Sequence, residues 1–228
     1  SGERLLDANI GGSVDAETAL GAGVAYDSFL TVGATSGNLY PADYADAAKA
    51  NTARMASVGL DGVDSWGADG LSLDDGMVYW SDPDDGAGAT FADNMGESGD
   101  KIVVAQLTIE TGLEFSATMN AQGMGQTMDR PDMEWKQLGL SWRHDCGTMN
   151  SCKYVVSTEI LEFAVDGAGV DGLSGYTTYR LALTLGEHAV NVYSIFGNSE
   201  SALQMPPAWQ YSGERLLDAN IGGSVDAE

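Results

Sequence analysis

Lys101–Glu110 reads KIVVAQLTIE, and the reading of this stretch decides the fold. Val103, Ala105, Leu107 and Ile109 occupy alternate positions, the period-two pattern of a strand that turns one face to a core. The same pattern recurs outward from it. In Glu114–Ala121, Phe115, Met119 and the alanines oppose Glu114, Ser116, Thr118 and Asn120. Lys136, Leu138, Leu140 and Trp142 alternate with Gln137, Gly139, Ser141 and Arg143, and Tyr179, Leu181, Leu183 and Leu185 alternate with Arg180, Ala182 and Thr184. Val24–Val32, Met77–Trp80, Lys153–Val165 and Val190–Phe196 are further strand-like runs, and Gly, Asp or Asn separates nearly all of them. Many short strands with turn residues between them predict an all-β fold, an antiparallel β-sandwich or a jelly-roll-like repeat. Pro41–Ala56 alone reads as helical. It is alanine-rich, Pro41 suits a first helical turn, and its weak apolar face predicts a short surface helix. Gly167–Gly175 (GAGVDGLSG) reads either as a linker or as a long strand-to-strand turn.

The chain returns to its own beginning. Ser1–Glu17 is SGERLLDANIGGSVDAE, and Ser212–Glu228 is the same without a mismatch. An overlap copied into both ends is the plain alternative; the preferred reading is a tandem repeat cut just past one period. Solenoid repeats have periods of about 20–50 residues. A period of 211 residues makes each repeat a whole domain. Residues 1–17 are then a junction segment, 18–211 the repeat body, and 212–228 the start of the next repeat or a donated strand. Leu5, Leu6 and Ile10, and their counterparts Leu216, Leu217 and Ile221, are the apolar residues expected to make the junction.

Charge excludes several classes of partner. Asp and Glu number 34 against 10 Lys and Arg, a formal net charge of −24. That balance repels nucleic acid and anionic membrane surfaces. Acidic disorder is not expected, because 43% of residues are hydrophobic and five are Trp. No apolar run reaches the roughly 18 residues of a membrane span. No signal peptide is present, which a piece from the middle of a longer chain would lack in any case.

Three groups of residues carry candidate chemistry. Asp74, Asp75, Asp82, Asp84 and Asp85 surround a short strand in LDDGMVYWSDPDDG (Leu73–Gly86), with Asp61, Asp64 and Asp69 before it and Asp166 and Asp171 in a later loop. Calcium takes six to eight oxygen ligands, and Asp- and Gly-rich loops can wrap it; Asp-Gly turns that β proteins need anyway are the alternative. Cys146 and Cys152 sit between two strand-like runs and could close a hairpin as a disulfide, which points to an oxidising setting. His144 adjoins the pair, so zinc is the competing reading, although a structural site wants four ligands. Asn150-Ser151-Cys152 is the rare N-x-C glycosylation variant. Catalytic constellations are thin. Gly172-Leu173-Ser174-Gly175 begins like a nucleophile elbow and fails at Tyr176. Trp66, Trp80, Trp135, Trp142 and Trp209 could form a sugar-stacking platform, but most lie in strand patterns that favour core packing.

YDSFLTVG (Tyr26–Gly33), LSLDDGMVYW (Leu71–Trp80), VVAQLTIETG (Val103–Gly112), MNAQG (Met119–Gly123), TTYRLAL (Thr177–Leu183), NVYSIFG (Asn191–Gly197) and PPAWQ (Pro206–Gln210) occur together. Over most of the chain these phrases resemble a β-rich, functionally poorly characterised domain repeated in very large secreted surface and fibril proteins of aquatic microorganisms, chiefly algae. The resemblance implies a structural role outside the cell or at its surface. It also implies a natural unit that starts near Thr177 and crosses the seam into the next copy. It supplies no catalytic residue. The Pro41–Ala56 insert and the Cys146–Cys152 hairpin depart from its pattern. The expectation is therefore a non-enzymatic structural unit of an extracellular filament or appendage. Copies of itself are its partners, glycans are possible ones, and calcium rather than an organic cofactor is its possible ligand. The alternative is a glycan-binding adhesive module in a tandem array.

Overall fold

The computed structural model describes residues 26–33, 55–60, 66, 69–88, 101–127, 130–144, 156–170 and 172–210. Their regular structure is almost all strand. The strands are β1 (Phe29–Leu30), β2 (Met55–Val58), β3 (Leu71–Leu73), β4 (Gly76–Trp80), β5 (Ala87–Gly88), β6 (Lys101–Glu110) and β7 (Phe115–Thr127). They continue with β8 (Arg130–His144), β9 (Val156–Ala164), β10 (Tyr176–Leu185), β11 (Asn191–Val192), β12 (Ser194–Gly197) and β13 (Leu203–Met205). Every pairing among them is antiparallel.

One sheet runs β1-β6-β10-β9. The larger sheet runs β2-β4-β12-β7-β13-β3, with β8 on β7, and β11 pairs β5 separately. A single core cluster draws Leu107, Ile109, Leu181 and Leu183 from the first sheet and Val78, Met119, Leu140 and Trp142 from the second. The result is an all-β, sandwich-like fold with no closed barrel among the described residues. Burial of these side chains contributes about 1.5–3 kcal/mol each, and that is what holds the sheets face to face.

Two β-bulges change the expected faces. In β6, Leu181 pairs Ala105 but Ala182 pairs Val103, so Val104 is the extra residue. Ile102 and Val104 therefore join Ala105, Leu107 and Ile109 in the core cluster, and Val103 does not. The strand is also buried on both faces from Ile102 to Ile109, not on one. In β8, Met119 pairs Leu140 while Ala121 pairs Gln137, which leaves Leu138 and Gly139 as the irregular pair. Gly139 has φ of 67°, the left-handed conformation that a bulge of this kind requires. The inward set is thus Trp135 and Gln137 before the bulge and Leu140 and Trp142 after it; Lys136 and Leu138 face outward. Asn120 stabilises the kink: its side chain accepts from the Gly139 N–H at 2.9 Å and donates to the Ser201 carbonyl at 2.7 Å.

The expected helix over Pro41–Ala56 is corrected at its end, since Met55 and Ala56 belong to β2 and pair Trp80 and Tyr79; its remaining residues lie outside the described set. Gly167–Gly175 is a turn joining β9 to β10 rather than a linker. Asp166, at φ 51°, accepts from the Gly175 N–H at 2.7 Å, and Leu173 plugs the turn from inside.

Candidate functional site: the seam and the open sheet edge

The two ends of the described body meet. Ser28 Oγ donates to the Trp209 carbonyl at 2.7 Å and accepts from the Thr108 N–H at 3.0 Å. The Trp209 N–H in turn donates to the Thr108 carbonyl at 2.7 Å. Thr108 Oγ1 shares a hydrogen bond with Thr178 at 2.7 Å, and Gln106 donates to the Asp27 carbonyl at 2.9 Å. All of these polar side chains are buried, so each hydrogen bond is needed to offset desolvation. The network ties the chain just after residue 25 and just before residue 211 to one place beside β6.

Across the same sheet, three strands away from β1, β9 forms its far edge. One side of β9 pairs β10 in continuous register from Val156↔Leu185 to Glu162↔Tyr179. No strand among the described residues pairs its other side. The register breaks after Glu162, where Phe163 is the extra residue, and the Arg180 guanidinium lies 3.8 Å from the Phe163 ring centre. Pairing with Leu181 and Leu185 directs Ile160 and Val156 toward the core, while Leu161 shares the outer face with Arg180. Ile160 and Leu161 are half-buried, and Phe163 and Val165 are 43% and 53% exposed. Glu159 pairs with Lys101 at 2.9 Å, and Glu162 is exposed. An open strand edge with apolar side chains is a template for another strand.

The acidic residues are split by the fold. Asp74 and Asp75 lie at the β3–β4 corner, and Asp82 and Asp84 lie past the far end of β4, all four exposed. At about 3.3 Å per residue, β4 holds the two pairs roughly 16 Å apart or more. Asp82 Oδ1 accepts from the Asp84 N–H at 3.1 Å and caps the 3-10 turn Pro83–Asp85, whose Pro83 carbonyl accepts from buried Asn191 at 2.9 Å. Among the described residues, no three His, Cys, Asp or Glu side chains come close enough together to hold a metal ion. Asp69 and Asp166 are exposed, whereas Asp61, Asp64 and Asp171 lie outside the described residues.

Cys146 and Cys152 lie outside the described residues, as do Leu5, Leu6, Ile10, Leu216, Leu217 and Ile221. The strands leading to and from the cysteine segment do approach each other: Thr158 Oγ1 donates to the Ser141 carbonyl at 3.0 Å. His144 stacks on Phe115 with ring centres 5.3 Å apart and tilts against Tyr179 at 4.8 Å. Four tryptophans are core residues. Trp66, Trp80, Trp135 and Trp142 are buried, and their indole N–H groups donate to the carbonyls of Pro206, Val32, Met124 and Ala182. They present no stacking surface to a sugar; Trp209 is half-buried. Among the described residues, no helix is long and apolar enough to cross a membrane.

The sequence pattern identified β9 as a strand but not as an edge. Adjacent Ile160 and Leu161 together with Phe163 and Val165 put apolar groups on both faces of a strand that also carries two acids. That mixture is the only local sign of its position. No protein-family model, curated protein or solved structure matches the chain.

Proposed function

We propose that this chain is a structural, non-enzymatic repeat unit of an extracellular protein filament or surface appendage, joined to its neighbour through the duplicated segment. One observation carries the reading: an identical segment flanks a body whose two ends are fastened together by Ser28 and Trp209. In a string of such units, each link leaves one body after Gln210 and reaches Tyr26 of the next through the repeated sequence. The load path then enters and leaves each unit at a buried hydrogen-bond network. The resemblance to repeated domains of large secreted proteins supports the extracellular setting, as does a cysteine pair. The net charge of −24 suits a filament that must not bundle sideways. Burial of the tryptophans weighs against the sugar-binding alternative.

Deleting Ser212–Glu228 tests the reading. On this reading the full chain assembles end to end in sedimentation and electron microscopy, and the truncated chain should keep the parent's circular dichroism spectrum and cooperative melt but stay monomeric. Normal oligomers from the truncated chain would refute the proposal.

A further inference from the structure

We propose that the open edge of β9 is the acceptor for the duplicated segment, with Arg215–Ile221 of one copy pairing antiparallel to Val156–Glu162 of another. The proposal rests on the filament reading above and names the surface that reading needs. Three observations lead to it. The regular edge runs from Val156 to Glu162 and ends at the Phe163 bulge; no described strand pairs it, and only the Val156 N–H at its start is engaged, donating to Gln137 Oε1 at 3.5 Å. Arg215–Ile221 (RLLDANI) has the same length, contains no Gly, and is closed by Gly222-Gly223. Both stretches carry their apolar and charged residues in matching order when one is reversed.

The register follows from that order. Placing Leu217 opposite Ile160 sets Leu216 opposite Leu161, Ala219 opposite Thr158 and Ile221 opposite Val156. Leu217, Ala219 and Ile221 then extend the core-side row of β9, whose Ile160 already packs on the core cluster. Leu216 meets half-buried Leu161 on the outer face. Arg215 falls opposite Glu162, an exposed carboxylate. Asp218 falls opposite Glu159, the one position where like charges meet, and there Lys101 already stands 2.9 Å from the carboxylate. A shift by one residue would turn Leu217 and Ile221 away from the core side, because strand faces alternate with period two. It would also leave Glu162 and Arg215 on opposite faces. Backbone hydrogen bonds along the edge supply attraction, and the side-chain order supplies register.

A charge exchange in the full chain tests this. Glu162→Arg puts two arginines opposite each other and should weaken oligomerisation about five-fold, the scale of a directly opposed charge pair. Arg215→Glu should weaken it similarly. The double variant E162R/R215E should recover to within about two-fold of the parent. Equal weakening in the double variant overturns the register, and unchanged assembly in E162R overturns β9 as the acceptor. If deletion of Ser212–Glu228 abolishes assembly in either case, the filament reading stands without this edge; if deletion has no effect, both fall. If the exchange moves only the melting temperature of a monomer, the segment pairs within its own chain, and the second copy is excluded as the partner.

Discussion

The Ser28 hydroxyl donates to the Trp209 carbonyl at 2.7 Å although 181 positions separate the two residues. The same oxygen accepts from the Thr108 N–H, so one small side chain fastens both ends of the body to the middle strand β6. Ser28→Ala removes the donor and the acceptor together. Each buried group left without a partner costs about 1–3 kcal/mol. The expected result is a loss of unfolding free energy of that order, read as a lower urea midpoint with an unchanged slope, since the same surface is exposed on unfolding. A midpoint within experimental error of the parent would show that the two ends are held elsewhere.

The bulge in β8 makes a second, graded prediction. Gly139→Ala meets no atom within 4 Å of the added carbon, so its cost is the left-handed backbone alone, about 1–2 kcal/mol. Asn120→Ala leaves the Gly139 N–H without its acceptor and removes one of the two bonds to the Ser201 carbonyl, which keeps the Asn198 N–H, and together with the lost buried side chain it should cost more, about 2–3 kcal/mol. Thermal or urea unfolding of the two variants checks the order. The reverse order would mean that strain in Gly139, and not Asn120, governs the kink.

These two sites also mark how far the fold could be read from sequence. Alternation identified β6, β7, β8 and β10 correctly, because a strand that buries one row of side chains must repeat every second residue. It failed before each bulge, at Val103 in β6 and at Lys136 and Leu138 in β8. A bulge inserts a residue without changing composition, so strict alternation puts Val103 and Leu138 on the wrong face and regains the inward row only at Ala105 and Leu140. Gly139 was the one visible sign, and a lone Gly in a strand reads equally well as a weak spot. The acidic residues show a different limit. Proximity in sequence suggested one cluster, but β4 separates Asp75 from Asp82 end to end. The edge position of β9 among the described strands left only the mixture of apolar and acidic residues as a local sign, because which strand ends a sheet depends on the pairing of every other strand.

Alkaline pH should loosen the body through Tyr193. Burial pushes its phenol above the ordinary value of 10.0, and the nearby Glu134 carboxylate pushes in the same direction. The folded state therefore holds this proton more tightly than the unfolded chain does. That stability is fully present below pH 10 and is lost as pH rises through the folded value. Tyr193→Phe should flatten the decline in melting temperature above pH 10 relative to the parent, and Glu134→Gln should shift its midpoint slightly downward. Parallel curves for parent and Tyr193→Phe would assign the alkaline loss to other groups.

Calcium gives the last test, and the geometry dictates its form. The Asp74–Asp75 corner and the Asp82–Asp84 turn lie at opposite ends of β4, too far apart to share one ion whose oxygen ligands sit at about 2.3–2.6 Å. Any stabilisation that millimolar calcium gives beyond matched sodium should then be divisible. Asp74→Asn with Asp75→Asn removes one part, Asp82→Asn with Asp84→Asn removes another, and all four together remove the sum, as distant sites behave additively. The Asp82→Asn change keeps an Oδ1 that can accept from the Asp84 N–H, so the turn stays capped, and any residual effect on the cap appears equally in sodium and cancels in the comparison. Calorimetry of the four proteins in chelator, sodium and calcium reads all of these terms. Loss of the entire calcium effect in either pair alone would mean one shared site and a different arrangement of β4. Superimposed curves for the parent in calcium and sodium would leave the acids as a solvated surface that keeps neighbouring filaments apart.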